Sequence, residues 1–128
     1  MTRTTVSTGA PWEKMVGYSR AVRAGNLIEV AGTTATENGE TIAPNDPAEQ
    51  TRFVLNRISQ AITELGGTLH DVTRTRIFVT DISHWEVIGN VHGEFFGDIR
   101  PAATMVEVSR LIQPDLVVEI EATAWIDR

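Results

Sequence analysis

From Ala102 to Ile126, apolar and polar residues alternate in two stretches, and a period of two gives a strand two distinct faces. In the first stretch Ala102, Thr104, Val106 and Val108 share one face, and Ala103, Met105 and Glu107 share the other. In the second, Val118, Ile120, Ala122, Ala124 and Ile126 oppose Val117, Glu119, Glu121, Thr123 and Trp125. With Pro114 and Asp115 between them, they read as two strands joined by a short turn. The faces bearing Glu107, Glu119 and Glu121 mix carboxylates with apolar residues. That is odd for a solvent face and expensive for a core, so it calls for a partner surface or a ligand pocket.

Upstream, residues 3–8 are rich in Thr and Val and predict a short edge strand, followed by a loop over 11–17 that carries Trp12. Residues 18–24 and 27–33 predict a hairpin about Ala24-Gly25-Asn26. Gly32 interrupts its second strand, as where a backbone comes close to something. After a polar loop over 34–45, Asp46, Pro47 and Glu49 form a helix start, and Phe53, Val54, Ile58, Ala61, Ile62 and Leu65 follow at helical spacing until Gly66-Gly67. Asp71 to Asp81 predicts a strand with Thr73, Thr75, Ile77 and Val79 on one face and Arg74, Arg76 and Phe78 on the other. Residues 83–97 predict a second helix, capped by Ser83, with Trp85, Ile88, Val91, Phe95 and Phe96 on its apolar side.

The order β-β-β-α-β-α-β-β predicts an α+β fold, a single mostly antiparallel sheet with two helices packed on one face. No linker or repeat divides residues 1–128, which read as a single domain. The uncovered face would show Leu27, Ala31, Phe78, Met105, Val117 and Trp125 among charges of both signs. An apolar face that wide marks an interface, and a closed ring buries it.

A net charge of −6 disfavours nucleic acid, which needs a basic surface. The absence of cysteine removes disulfides, thiolate nucleophiles and Cys-based metal sites. No apolar run reaches the ~18 residues of a membrane helix, and no apolar segment follows Met1-Thr2-Arg3, so a cytoplasmic protein is expected. His70, His84 and His92 lack metal-ligand spacing, with His92 expected at an interface or on the surface, and no cofactor or metal is expected.

The run Pro101-Ala102-x-Thr104-x-Val106-Glu107-Val108-x-Arg110-Leu111, with Pro114-Asp115 and Val118-Glu119-Ile120-Glu121-Ala122, resembles the signature of the RidA/YjgF family of reactive-intermediate deaminases. Gly17-Tyr18-Ser19, Val30-Ala31-Gly32, Arg76-Ile77-Phe78-Val79-Thr80-Asp81 and Glu94-Phe95-Phe96 extend the likeness over nearly the whole chain. The resemblance implies a RidA/chorismate-mutase-like fold and a homotrimer packed as a central barrel, with a small-molecule pocket at each subunit boundary. It implies that Glu119 positions a hydrolytic water, that Tyr18 lines the pocket, and that the backbone at Ala31 and Gly32 faces the ligand. Met105 falls in the same substrate-binding set. The family's deaminases carry an arginine for the substrate carboxylate where this chain has Ala103. A methyl group cannot supply a bidentate fork, so hydrolysis of 2-imino acids would need another cation. Arg76 and Arg100 are the possible replacements, and both also read as ordinary ion-pair partners. Glu119 suits an ion pair with Arg74 or Arg76 as well as a catalytic role. Two functions follow: a Rid-type hydrolase acting on a small imine or enamine, or a non-catalytic trimeric protein that binds a small molecule.

Overall fold

In a computed structural model that describes residues 2–128, the chain forms β1 (Arg3–Val6), α1 (Pro11–Val16), β2 (Ala21–Ala24), β3 (Leu27–Thr34), β4 (Thr36–Glu37), β5 (Glu40–Thr41), α2 (Pro47–Glu64), β6 (Val72–Val79), α3 (Trp85–Phe96), β7 (Ala102–Glu107) and β8 (Val118–Trp125). Six strands make one sheet in the order β1-β2-β3-β8-β6-β7, and β4 and β5 form a separate small hairpin. Every pair in the main sheet is antiparallel except β6–β7. The expected α+β fold, a mostly antiparallel sheet carrying two main helices, is therefore present.

Local chemistry sets most boundaries. Asp46 caps α2 by accepting from the Glu49 amide at 3.1 Å, with Pro47 at the first helical position. Val54, Leu55, Ile58, Ala61 and Ile62 then recur on the buried face. They meet Ile28, Val30, Ile77, Val79, Val118, Ile120, Ala122 and Ala124, the inward rows of β3, β6 and β8, in one core. Gln50 is fully buried in this helix and spends its amide on backbone: Nε2 donates to Ala43 O and Asp115 O, and Oε1 accepts from Val117 N, all within 3.0 Å.

Four local expectations change. Residues 11–16 form a helix instead of a loop, started by Pro11 and ended by Gly17 in the left-handed conformation (φ 88°). The 34–45 loop contains the β4–β5 hairpin. The second helix is preceded by a 3-10 turn capped by Asp81, which accepts from both the amide and the hydroxyl of Ser83. The expected short turn between the last two strands is a connection over 108–117, and those strands do not pair. β7 runs parallel on the outer edge of β6, whereas β8 lies between β3 and β6. Parallel neighbours need such crossovers.

That topology reassigns one row of side chains. In the parallel register Ala103, Met105 and Glu107 align with Thr75, Ile77 and Val79, so they face the helix layer. Ala102, Thr104 and Val106 align with Arg74, Arg76 and Phe78, on the side of Glu119 and Glu121. The Arg74 bond to Thr104 Oγ1 at 3.0 Å agrees. Glu107 thus leaves the expected carboxylate row and accepts from the Ile82 amide.

His92, expected at a surface or interface, is half-buried on α3. Its Nε2 is 2.9 Å from Oγ1 of buried Thr75, and its ring lies 4.6 Å from that of Phe96. Burial lowers its pKa below the ordinary 6.5. The unfolded chain therefore takes up the proton more readily than the fold, so stability is full above pH 6.5 and is lost as pH falls below it. His92→Phe should flatten the drop in urea midpoint between pH 7 and pH 5, and an unchanged drop would assign it to other groups.

Candidate functional site

The site is built where β3 leaves its regular pairing with β8. Val30 pairs with Ala122 and Thr33 with Ile120, so three steps on β3 span two on β8. This bulge contains Ala31 and Gly32, and a bulge re-aims the residues around it. A Cβ on Gly32 would collide with Glu119 Oε2, so the Glu119 side chain lies directly over the glycine. The break that Gly32 makes in the strand pattern is thus a close approach, and what approaches is a carboxylate. Among the described residues no hydrogen bond and no ion pair within 4.0 Å reaches the Glu119 carboxylate. Burial raises its pKa above 4.5, the nearby Arg20 cation pulls it back, and Glu121 pushes it up again.

Within one chain Glu119 pairs with neither Arg74 nor Arg76. Arg76 Nη1 is 3.5 Å from Glu121 Oε1, its direct cross-strand neighbour, and Arg74 bonds Thr104. Of the two expected replacement cations, Arg76 shares the Glu119 face but is engaged by Glu121. Arg100 lies at the end of α3 in a left-handed conformation (φ 56°), with Nε directed at Gly97 O. Neither is beside Glu119.

Tyr18 is placed by α1. Its amide and that of Gly17 both donate to Glu13 O at 2.9 Å, closing the helix end. The Glu13 side chain, only 6% exposed, ties α1 to the end of β1 by accepting from the Ser7 and Thr8 hydroxyls and the Thr8 amide. Burial opposes its charge, but these donors and Arg20 together hold its pKa below 4.5. Charge-assisted bonds of this kind are worth about 1.5–3 kcal/mol each.

Arg20, which the sequence reading passed over, sits one residue before β2. Continuing the hairpin register by one step puts it opposite Ala31, and the Ala31 amide donates to Arg20 O. Its Nη2 donates to Gly32 O at 2.7 Å, and its guanidinium lies 5.8 Å from the Tyr18 ring centroid. Tyr18, Gly32, Glu119 and Arg20 are therefore brought together within one chain.

Two clefts flank Tyr18. One of about 420 Å³ lies toward Ala31, Arg76 and Glu121. The other, of about 460 Å³, is lined by Trp12, Tyr18, Arg20, Thr33, Thr34 and Arg57 among others. Ala103 and Met105 line neither. Ala103 is two strands over from Glu119 and three residues along, which is about 14 Å, and it faces the opposite side of the sheet. Met105 is half-buried against the core. One chain does not bring these two to Glu119.

Comparison with known proteins adds the lineage. The family model described as Endoribonuclease L-PSP matches residues 9–126. The solved structure of Rv2704 from Mycobacterium tuberculosis, described as a member of the highly conserved YjgF/YER057c/UK114 family, is 54% identical, covers 98% of this chain and 100% of its own, and superposes with a TM-score of 0.90. The 3-aminoacrylate deaminase RutC of Acinetobacter baylyi is 36% identical over 110 residues, 85% of this chain and 86% of the relative. E. coli TdcF, solved with bound serine, is 25% identical, with 96% and 94% of the two chains covered and a TM-score of 0.80. With the family model spanning most of the chain, and with the fold and signature segments agreeing, this chain belongs to the endoribonuclease L-PSP family, the RidA/YjgF family of its sequence resemblance.

Proposed function

We propose that this protein hydrolyses a small imine or enamine to a carbonyl compound and ammonia, with Glu119 as the residue that positions and activates the water. The observation that carries this reading is the Glu119 carboxylate itself. It is half-buried over the Gly32 bulge, free of any arginine contact, and held at a pKa nearer neutrality than an exposed glutamate. A base poised closer to working pH is a better proton acceptor. Two relatives point to the same kind of small nitrogen compound, one named for deaminating an aminoacrylate and one solved with serine.

The chemistry balances with water alone. Glu119 takes a proton from water as its oxygen bonds to the imine carbon, and the C=N electron pair moves to nitrogen. An enamine first gains a proton at carbon and loses one from nitrogen to become the imine. The proton passes from Glu119 to nitrogen to give the carbinolamine; Glu119 then takes the hydroxyl proton and hands it to nitrogen as the C–N bond breaks, so that ammonia leaves the carbonyl product. The phenol of Tyr18 and the backbone at Ala31 and Gly32 form the wall against which the substrate lies.

The assembly belongs to the same reading. The face opposite the helices exposes Trp125 (51%) and Val106 (42%), and the outer edge of β7 has no strand partner. Three copies closing these faces into a barrel would cover both and complete the clefts. Sedimentation at micromolar concentration should give a trimer, and Val106→Asp should shift it to monomer by placing an unpaired charge at the contact. A stable wild-type monomer would remove this part of the proposal.

The direct test is ammonia release from a panel of enzymatically generated imines. Turnover that disappears in Glu119→Gln supports the hydrolase. No release from any imine, with the pocket still binding small molecules, supports the non-catalytic binding protein. Gly32→Ala is a second probe. Its methyl would push away the far end of a flexible side chain, so the fold should survive within about 1 kcal/mol while turnover falls about 100-fold. Adding Glu119→Ala to it should cause little further loss, and a fully additive loss would separate Gly32 from Glu119.

A further inference from the structure

The bulge beneath Glu119 is fastened by two side chains. A bulge leaves its extra residue outside the ladder, and Ala31 and Gly32 have no register partner on β8. The buried Thr33 hydroxyl donates to Ala31 O at 2.8 Å, and Arg20 Nη2 donates to Gly32 O at 2.7 Å. The Ala31 amide in turn donates to Arg20 O at 3.0 Å, so Arg20 grips the bulge through both its backbone and its side chain. A charged donor makes the stronger of the two side-chain ties. Glu119 Oε2 lies over the Cα of the same glycine.

The guanidinium is not committed to an ion pair. Arg52, Arg57, Arg76 and Arg128 each lie within 4.0 Å of an acid, and among the described residues Arg20 does not. Glu13 spends its oxygens on Ser7 and Thr8. The charged groups on the strands flanking β8 are Glu29 on β3 and Arg74 and Arg76 on β6, with Glu121 on β8 itself. Arg76 is held by Glu121 and Arg74 by Thr104. Arg20 and Glu121 are the two whose charges act on Glu119, in opposite directions. Arg20 in turn feels Tyr18, Glu13, Glu119 and, from α2, the like charge of Arg57.

We propose that Arg20 is a positioning residue that acts on the candidate base through Gly32: the guanidinium pins the Gly32 carbonyl, and the pinned bulge is the seat on which the Glu119 carboxylate is held. This rests on the hydrolase reading of Glu119 and deepens it. The role asks for no contact with substrate. Arg20 keeps the base in place, and its charge favours the ionised, proton-accepting form of that base.

The test uses the intact protein with Arg20→Gln, which keeps a donor for Gly32 O and loses the charge, and Arg20→Lys, which keeps the charge. The Glu119 titration is read by carbon NMR of protein labelled at its glutamate carboxyls, with Glu119→Gln identifying the signal. Arg20→Gln should move the midpoint up by about half a pH unit or more, and Arg20→Lys by less than about half as much. In Gly32→Ala, whose methyl displaces the carboxylate, the shift caused by Arg20→Gln should shrink at least about twofold, because the seat is gone. On an imine that wild type hydrolyses, the acid limb of kcat/KM should move up with the midpoint, and Arg20→Gln should lower kcat about tenfold while KM changes less than about threefold. A prop that only stabilises the fold would lower activity at every pH and leave the midpoint in place, and that result overturns the proposal. A shift undiminished in Gly32→Ala would be charge acting at a distance, and it overturns the route through Gly32. The reciprocal measurement needs no Arg20 variant: the Arg20 guanidinium signals of wild type should step at the Glu119 midpoint and lose that step in Glu119→Gln, and constant signals overturn the proposal. Neither titration needs turnover, so a midpoint that follows Arg20 in a protein that hydrolyses no imine would overturn the hydrolase reading and keep the coupling.

Discussion

If Glu119 is the base of a hydrolase, as proposed, Glu119→Gln should lower turnover about a thousandfold and leave the protein as stable as wild type or more so. The two halves of this expectation have one cause. Burial lifts the folded-state pKa of Glu119 above 4.5, with Arg20 opposing and Glu121 adding to the lift. The fold therefore holds the proton more tightly than the unfolded chain does. The favourable contribution is fully present below pH 4.5 and is lost as pH rises through the folded-state pKa. At pH 7 the ionised carboxylate weighs against the fold, and glutamine removes that weight while keeping the shape. The urea midpoint of Glu119→Gln should equal or exceed that of wild type at pH 7, and the gap should close toward pH 4. The activity of wild type should fall along an acid limb set above 4.5. A glutamine variant that loses stability at pH 7 would mean that Glu119 is a structural partner, and the catalytic reading would lose its main support.

Gln50→Met should destabilise the protein by about 2–4 kcal/mol, with little change in the local geometry of α2. Methionine matches the volume and the helix propensity of glutamine, so packing is not the issue. What is lost is the partner of the buried Val117 amide and one of the two donors to each of Ala43 O and Asp115 O, which keep the amides of Asp46 and Asn45, around a side chain with no solvent exposure. Each buried group left without a partner costs about 1–3 kcal/mol. Urea denaturation with an unchanged slope and a lower midpoint is the expected readout. A loss under about 1 kcal/mol would show that water or loop movement replaces the amide.

The contrast between Gln50 and its neighbours shows what the sequence could reveal. Helix α2 was legible from Asp46, Pro47, the apolar spacing and Gly66-Gly67, because caps and period act locally. A buried glutamine gives no such sign, since its role is set by joining the loop just before the helix to another 65 residues or more along the chain. The same division explains the strands. Alternation gave β7 and β8 their faces one strand at a time. Which neighbour β7 pairs with, and in which direction, depends on the crossover over 108–117, and that choice put Ala103, Met105 and Glu107 on the helix side.

In the candidate site, Gly32 and Tyr18 were visible through a strand break and a motif. Arg20 was not singled out, although a signal existed. Extending the hairpin register one step past Ala21–Val30 places it opposite Ala31, next to the glycine already marked as a close approach. Glu13 was missed because six residues of helix are too few for a periodic pattern, and its partners Ser7 and Thr8 precede it in what reads as a turn.

The place of β8 has a consequence for how the chain acquires its shape. It is the strand that joins β1-β2-β3 to β6-β7, and it follows every other strand of the sheet in the sequence. Until it is synthesised, the emerging polypeptide holds two strand groups with no shared ladder, each offering an open edge. The β3–β8 contacts span some ninety residues, a separation that slows two-state folding. Folding on the ribosome should accordingly stall at α2 and the first hairpin and finish in one late event, when β8 slots between β3 and β6. In that interval the waiting edges are open to unwanted pairing with other nascent chains, which makes yield during expression more sensitive to β8 than to any other strand. Pulse-labelling of chains ending before residue 118 and of the full chain would see the β3 and β6 amides that face β8 protected only in the full chain.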